Sequence, residues 1–205
     1  MYELYKKARD AAWQALINCG INTLPVNLNT VAEHYGYDVV LYSHCPMVQI
    51  LKPDAAAGDG FITMFNGNTV IFLNDQIKTK GRRRFTLAHE IGHGALDGPL
   101  DVIRYRNSEQ DNDSPIETAC NIFARDLLAP AGVLAALNVH TPEEIMRLCD
   151  ISRVSAEIRA ERMKVLYERG MFGAHPLERQ VIKQFGDFIQ RHCGRRPKEY
   201  KETEE

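Results

Sequence analysis

The sequence has no C-x-x-C pair, and its five cysteines (Cys19, Cys45, Cys120, Cys149 and Cys193) are odd in number and widely spread. That spacing excludes a disulfide framework and fits reduced thiols. An excess of either charge is also missing. A formal net charge of −2 at pH 7 gives no global attraction to nucleic acid or an acidic membrane surface, so such contact would need a local patch. The first ten residues are broken by Glu3, Lys6, Lys7, Arg9 and Asp10 and lack the apolar stretch of a signal peptide, and no later run reads as long enough to cross a bilayer. Internal repeats and low-complexity blocks are absent too. These absences lead to the expectation of a cytoplasmic protein with no membrane partner. What is present is ordinary for a soluble globular chain: 44% hydrophobic and 25% charged residues over 205 positions, enough for one good core and a small appended unit.

Hydrophobic spacing sets out the elements. Leu4, Ala8, Ala11, Ala12, Ala15 and Leu16 follow a helical repeat that Gly20 can end, and a short helix over about 29–35 is stopped by Gly36. The period then changes to that of strands. Residues 38–42 predict one strand, and 60–65 and 69–73 flank Asn66-Gly67-Asn68, a strong hairpin signal, so a small antiparallel sheet is expected. A helix over about 81–96 follows, then a polar loop over 97–114. Ser114 as N-cap and Pro115 at the first position open another helix, which runs to Pro130. Thr141-Pro142-Glu143-Glu144 is a capping box for a short helix, and Ser152 begins a longer one reaching about Glu168. The pair has helix-turn-helix proportions. A last amphipathic helix with Leu177, Val181, Ile182, Phe185, Phe188 and Ile189 on one side precedes a charged tail expected to be disordered.

His89-Glu90-Ile91-Gly92-His93 lies within the predicted helix over 81–96. Residues four apart share a helix face, so both imidazoles can reach one metal ion while Glu90 lies beside them, the beginning of a zinc hydrolase site. The alternative is a helix that holds no metal. Against it, Gly92 and Gly94 inside the helix each cost about 1 kcal/mol relative to alanine, and close approach of another backbone would explain them. Catalytic zinc needs a third protein ligand and an open position. A metzincin is excluded, because Leu96 and Pro99 stand where its glycine and third histidine belong. Glu117, in the first turn of the next long helix, is one candidate. It is also the glutamate of an S-x-x-E capping box with Ser114, and that reading stays open. Asp97 is a further candidate. Asn121, one turn beyond Glu117, can hydrogen-bond a ligand or orient a histidine.

Arg84-Phe-Thr-Leu-Ala-His-Glu-Ile-Gly-His93, followed by Glu117-Thr-Ala-Cys-Asn121-Ile-Phe-Ala-Arg-Asp-Leu-Leu-Ala-Pro130, resembles the two signature blocks of the ImmA/IrrE metallopeptidases. The resemblance extends over about 1–170. It implies an α+β fold: a zincin-like domain with a small sheet and the H-E-x-x-H helix over 1–135, then a helix-turn-helix-like region over 136–170. An amphipathic helix over 171–194 and a tail over 195–205 complete the chain. It further implies one Zn2+ per chain held by His89, His93 and Glu117, Glu90 as the catalytic base, and a helix-turn-helix repressor as substrate. Cys120 departs from the family pattern, which has alanine there, and places a thiol near the expected metal. A donor for the tetrahedral oxyanion is expected from Arg104, Tyr105, Arg106 or His140. The competing class is a binding module that holds a regulator or toxin without cleaving it.

Three weaker signals remain. Lys78, Lys80, Arg82, Arg83 and Arg84 cluster at a helix start, where cations oppose the helix dipole; they are either a solvated face or a docking patch. Strand 69–73, if at a sheet edge, can pair with an extended substrate. The predicted helix after Ser152 mixes Arg153, Arg159, Arg162 and Lys164 with Glu157, Glu161 and Glu168, a poor phosphate-binding face that argues against DNA as a partner.

Overall fold

The computed structural model describes residues 2–45, 58–97 and 114–193. Most of the polar loop expected over 97–114, including Arg104, Tyr105 and Arg106, lies outside the described residues, as does the tail over 195–205. Helices α1 (Tyr2–Asn18) and α2 (Leu28–His34) open the chain, and strand β1 (Tyr37–Leu41) follows with a 3-10 turn at Tyr42–His44. The hairpin forms where it was expected, from β2 (Gly60–Phe65) and β3 (Asn68–Leu73). Asn66 and Gly67 both have positive φ, +51° and +83°, as the central pair of a two-residue hairpin turn requires.

The sheet is mixed rather than antiparallel, in the order β1-β3-β2. β2 and β3 are antiparallel, whereas β1 joins the other edge of β3 in parallel, Tyr37 opposite Thr69 and Leu41 opposite Leu73. β3 is therefore the central strand, and its backbone groups are taken on both sides. Pairing of a substrate along 69–73 is ruled out by that placement. Both faces of the hairpin are covered: Ile62, Ile71 and Leu73 join the main core, while Phe61, Val70 and Phe72 form a second cluster with Tyr42.

Seven helices complete the described part: α3 (Lys80–Asp97), α4 (Pro115–Leu128), α5 (Ala131–Ala136), α6 (Pro142–Cys149), α7 (Arg153–Arg169), α8 (Pro176–Gln184) and α9 (Gly186–Cys193). α4 packs against α1 on one side and α3 on the other. Ala8, Ala12 and Leu16 of α1, Ala88 and Ile91 of α3, and Phe123, Ala124 and Leu127 of α4 are all fully buried there. The stretch Pro115–Ala136 is long and apolar enough by composition to cross a membrane, contrary to the sequence expectation, yet it is 78% buried within the protein. It is apolar because other helices surround it. Two elements also differ from expectation. The helix expected to run to Pro130 does end there, at Leu128, but Pro130 then stands at the N-cap position of a further short helix, α5, and the final amphipathic stretch breaks at Phe185–Gly186 into α8 and α9.

Four of the five cations of the basic cluster have partners within the protein. Lys80 Nζ is 2.7 Å from Asp150 Oδ2, Arg82 makes two hydrogen bonds to Asp59 at 2.6 and 2.9 Å, and Arg83 donates to the Asp75 and Ile77 carbonyls. Arg84 donates to the Val26 carbonyl at 2.8 Å. These cations tie the start of α3 to the sheet and to the α6–α7 turn, which gives them a structural role, while Lys78, Lys80 and Arg82 still present exposed side chains. On α7, Arg159 is buried at 1% exposure rather than surface-facing.

Candidate metal centre

α3 and α4 must lie close together to build this site, and glycine allows it. A Cβ on Gly92 would stand 3.1 Å from Phe123 Cδ1 and 3.4 Å from Cys120 Cα, and one on Gly94 would strike the Tyr37 ring. The two glycines that weaken α3 as an isolated helix are therefore the points where α4 and β1 approach it. Cys120 is fully buried in this contact.

Across the contact three side chains converge. His89 Nε2 is 3.0 Å from Glu117 Oε2, His93 Nε2 is 2.9 Å from Glu117 Oε1, and the two Nε2 atoms are 3.1 Å apart. All three residues are buried, at 0%, 3% and 6% exposure. Burial on its own would raise the Glu117 pKa. When the imidazoles of His89 and His93 are protonated, their hydrogen bonds and positive charge outweigh that effect and hold the carboxyl well below the ordinary carboxylate range.

Only half of the expected capping box forms at Glu117. Its backbone N–H donates to Ser114 Oγ at 3.3 Å, closing the cap, while its carboxylate turns to the histidines.

Asn121 sets the chemistry of the pair. His89 Nδ1 is 2.9 Å from Asn121 Oδ1. An amide oxygen only accepts, so Nδ1 carries the proton and, in the neutral ring, Nε2 is left with its lone pair. That lone pair faces a carboxylate, and two acceptors about 3 Å apart in a dry interior repel unless a cation lies between them. The site thus fits a metal: two imidazole nitrogens and a carboxylate within 4.8 Å of one another, the donor types that zinc takes at about 2.0–2.2 Å. Asp97 is the last residue of α3, and its side chain lies outside the described residues.

Glu90, between the two histidines, is 3% exposed. His140 is engaged elsewhere, its ring stacked on Tyr167 at 4.5 Å and its Nε2 2.8 Å from Asn138 Oδ1. Sequence reading missed Tyr42, which is 2% exposed in the turn after β1. Burial, then the charges of Glu90 and Asp59, raise its pKa, so the phenol keeps its proton through the neutral range. Nothing local marks it, since only the fold brings the end of β1 within the field of Glu90. A groove of about 440 Å³ opens beside Asn121, between Phe85, Ile122, Val154 and Ile158.

An α+β fold with a three-stranded mixed sheet against an H-E-x-x-H helix, and a glutamate supplied by the next long helix, defines a class that comparison with known proteins identifies. Residues 44–164 match the Peptidase_M78 family, described as the IrrE N-terminal-like domain, and the chain belongs to that family. The ImmA/IrrE resemblance of the two sequence blocks is thereby established. Among its relatives is the radiation response metalloprotease IrrE of Deinococcus deserti, 38% identical over 96 residues, covering 42% of this chain and 34% of the relative. The protein of the same name from Deinococcus radiodurans is 37% identical over 73 residues, 34% of this chain and 22% of the relative. The matched segments thus take in about a third or less of either relative's length.

Proposed function

We propose that this chain is a zinc-dependent endopeptidase of narrow specificity that cleaves a helix-turn-helix transcriptional repressor of a mobile element or stress regulon. The observation that carries the reading is the buried convergence of His89, His93 and Glu117 on one point, with Glu90, the residue after His89, buried as well. Membership of a peptidase family supports it. In this reading His89, His93 and Glu117 are the metal ligands, and the metal is one Zn2+ per chain. When bound, zinc supplies a Lewis acid that brings the pKa of a water down to about 7 and polarises the scissile carbonyl.

The side chains do the rest. Asn121 fixes the His89 ring so that Nε2 is directed at Glu117, where it would serve as a metal ligand. Glu90 takes the proton of the attacking water and returns it to the leaving amine. The Tyr42 phenol, kept protonated, is a donor in the same electrostatic neighbourhood. The groove beside Asn121 suits an apolar substrate side chain.

Glu90→Gln preserves volume but removes the proton acceptor. Metal content is expected to be unchanged while cleavage falls by about 100-fold or more. The test co-expresses this chain, or its Glu90→Gln variant, with a repressor encoded beside it and follows both repressor fragments and promoter activity. Equal relief of repression by both forms with the repressor intact would replace the peptidase reading by that of a binding module.

A further inference from the structure

A second cavity lies on the far side of α4, and the peptidase reading makes no use of it. Asp126 stands nine residues after Glu117, about two and a half helical turns, so the two carboxylates leave α4 on opposite sides. The cavity encloses about 400 Å³ between α1, α4, α7 and the start of α8. Lys6, Arg9, Arg125, Arg159, Arg162 and Arg169 line it, with Asp126 and Glu178 as the carboxylates among its lining residues. The cations lead by two even after Asp10, which pairs with Arg9 at 2.8 Å, and Glu3, which pairs with Lys6 at 3.1 Å, are counted. This surplus sits in a chain whose formal net charge is −2.

Arg159 is the decisive member. It is 1% exposed, and its Nη1 donates to Asp126 Oδ1 at 2.8 Å. Its Nε and Nη2 are buried and have no hydrogen-bond partner among the described residues, and the same holds for Arg125 Nε. N–H groups left unsatisfied in a dry interior are unfavourable, so a small rotation of the Arg159 side chain that brings them to an acceptor in the cavity is favoured. Arg125 Nη2 and Arg162 Nη2 both donate to Tyr5 Oη, at 3.4 and 3.2 Å, which draws a second and third guanidinium toward the first.

We propose that this cavity binds a small phosphorylated ligand, a phosphate monoester or mononucleotide, whose anionic head is held by Arg159, Arg125 and Arg162. Planar guanidinium forks match the oxygens of a phosphate, and several of them together select a doubly charged head over a single carboxylate. Depth selects a small molecule, because a group as buried as Arg159 is not reached by a flat macromolecular surface. The volume exceeds that of a phosphate and leaves room for an organic body along Ala131, Leu166 and Met171.

Trp13 supplies the readout. It is the single tryptophan of the chain, it lines the cavity, and Arg9 lies 4.7 Å from its ring. The full chain is titrated with pyrophosphate, ribose 5-phosphate and a nucleoside monophosphate near physiological salt. Trp13 fluorescence follows the first two and calorimetry follows all three. A saturable response with a dissociation constant below about 1 mM is expected for at least one probe. It should weaken by at least about tenfold in Arg162→Ala, which changes a half-buried side chain, and remain in Arg153→Ala, whose arginine pairs with Glu143 and Glu157 instead. Tyr5→Phe, a smaller change, is expected to weaken binding as well. No saturable response to any probe from folded protein, or equal binding by wild type and Arg162→Ala, would overturn the proposal. Neither result bears on the metal centre.

Discussion

A single amide decides which nitrogen of His89 is free. Because Asn121 Oδ1 accepts from Nδ1, replacing Asn121 with alanine frees the ring to rotate and to change tautomer. Zinc affinity is expected to drop about 10- to 100-fold with the fold intact, measured by competition with a chromophoric chelator. Unchanged affinity would reduce Asn121 to a surface residue of the neighbouring groove. Cysteines divide just as sharply. Burial pushes the Cys149 thiol up to about 12, and the nearby charges of Arg159 and Arg84 only partly offset that. At pH 8 its thiolate is scarce, so native protein treated with iodoacetamide should carry label on exposed Cys193 and none on Cys149 until denaturant is added. Mass spectrometry of the peptides reads the result. The H-E-x-x-H residues and the Glu117–Asn121 pair were legible in the sequence because their spacing is a local helical property. Tyr42 was not, since its relation to Glu90 exists only in the folded chain.

Elements are governed by what they touch. A Cβ at Gly81 would meet the backbone of the α6–α7 turn, 2.6 Å from Ile151 C and closer still to Ser152 N. Backbone cannot swing aside as a flexible side chain can, so Gly81→Ala is expected to cost about 1–3 kcal/mol, read as a lower midpoint in urea at unchanged slope. An unaltered midpoint would mean that the turn is loosely held. The same logic separates the readable elements from the rest. Asn66-Gly67 announced its hairpin because the turn chemistry lies within the two residues. The parallel partner of β1 has no such local signal, and alternation alone cannot say which edge of β3 it takes. Pro130 marked the end of α4 correctly, because proline blocks a preceding helix, but gave no sign that α5 would start directly after it. The basic run before Phe85 could not be assigned from sequence, as its partners Asp59 and Asp150 are distant along the chain.

At the scale of the whole molecule α4 is the spine. It buries its length between α1 and α3, turns Glu117 and Asn121 to the metal centre, and turns Asp126 to the cation-lined cavity behind. The centre needed only two helices, and two sequence blocks disclosed it. The cavity draws on several separate segments, and so no run of residues gave it away. The claim on which the rest depends is that His89, His93 and Glu117 together hold one zinc ion. Metal analysis of purified wild-type protein and of Glu117→Ala, each verified as folded, tests it directly. About one zinc per chain in the wild type, falling strongly in the variant, is the predicted result for a three-ligand site. Full zinc retention in Glu117→Ala, or wild-type protein that takes up none when zinc is supplied, would contradict it.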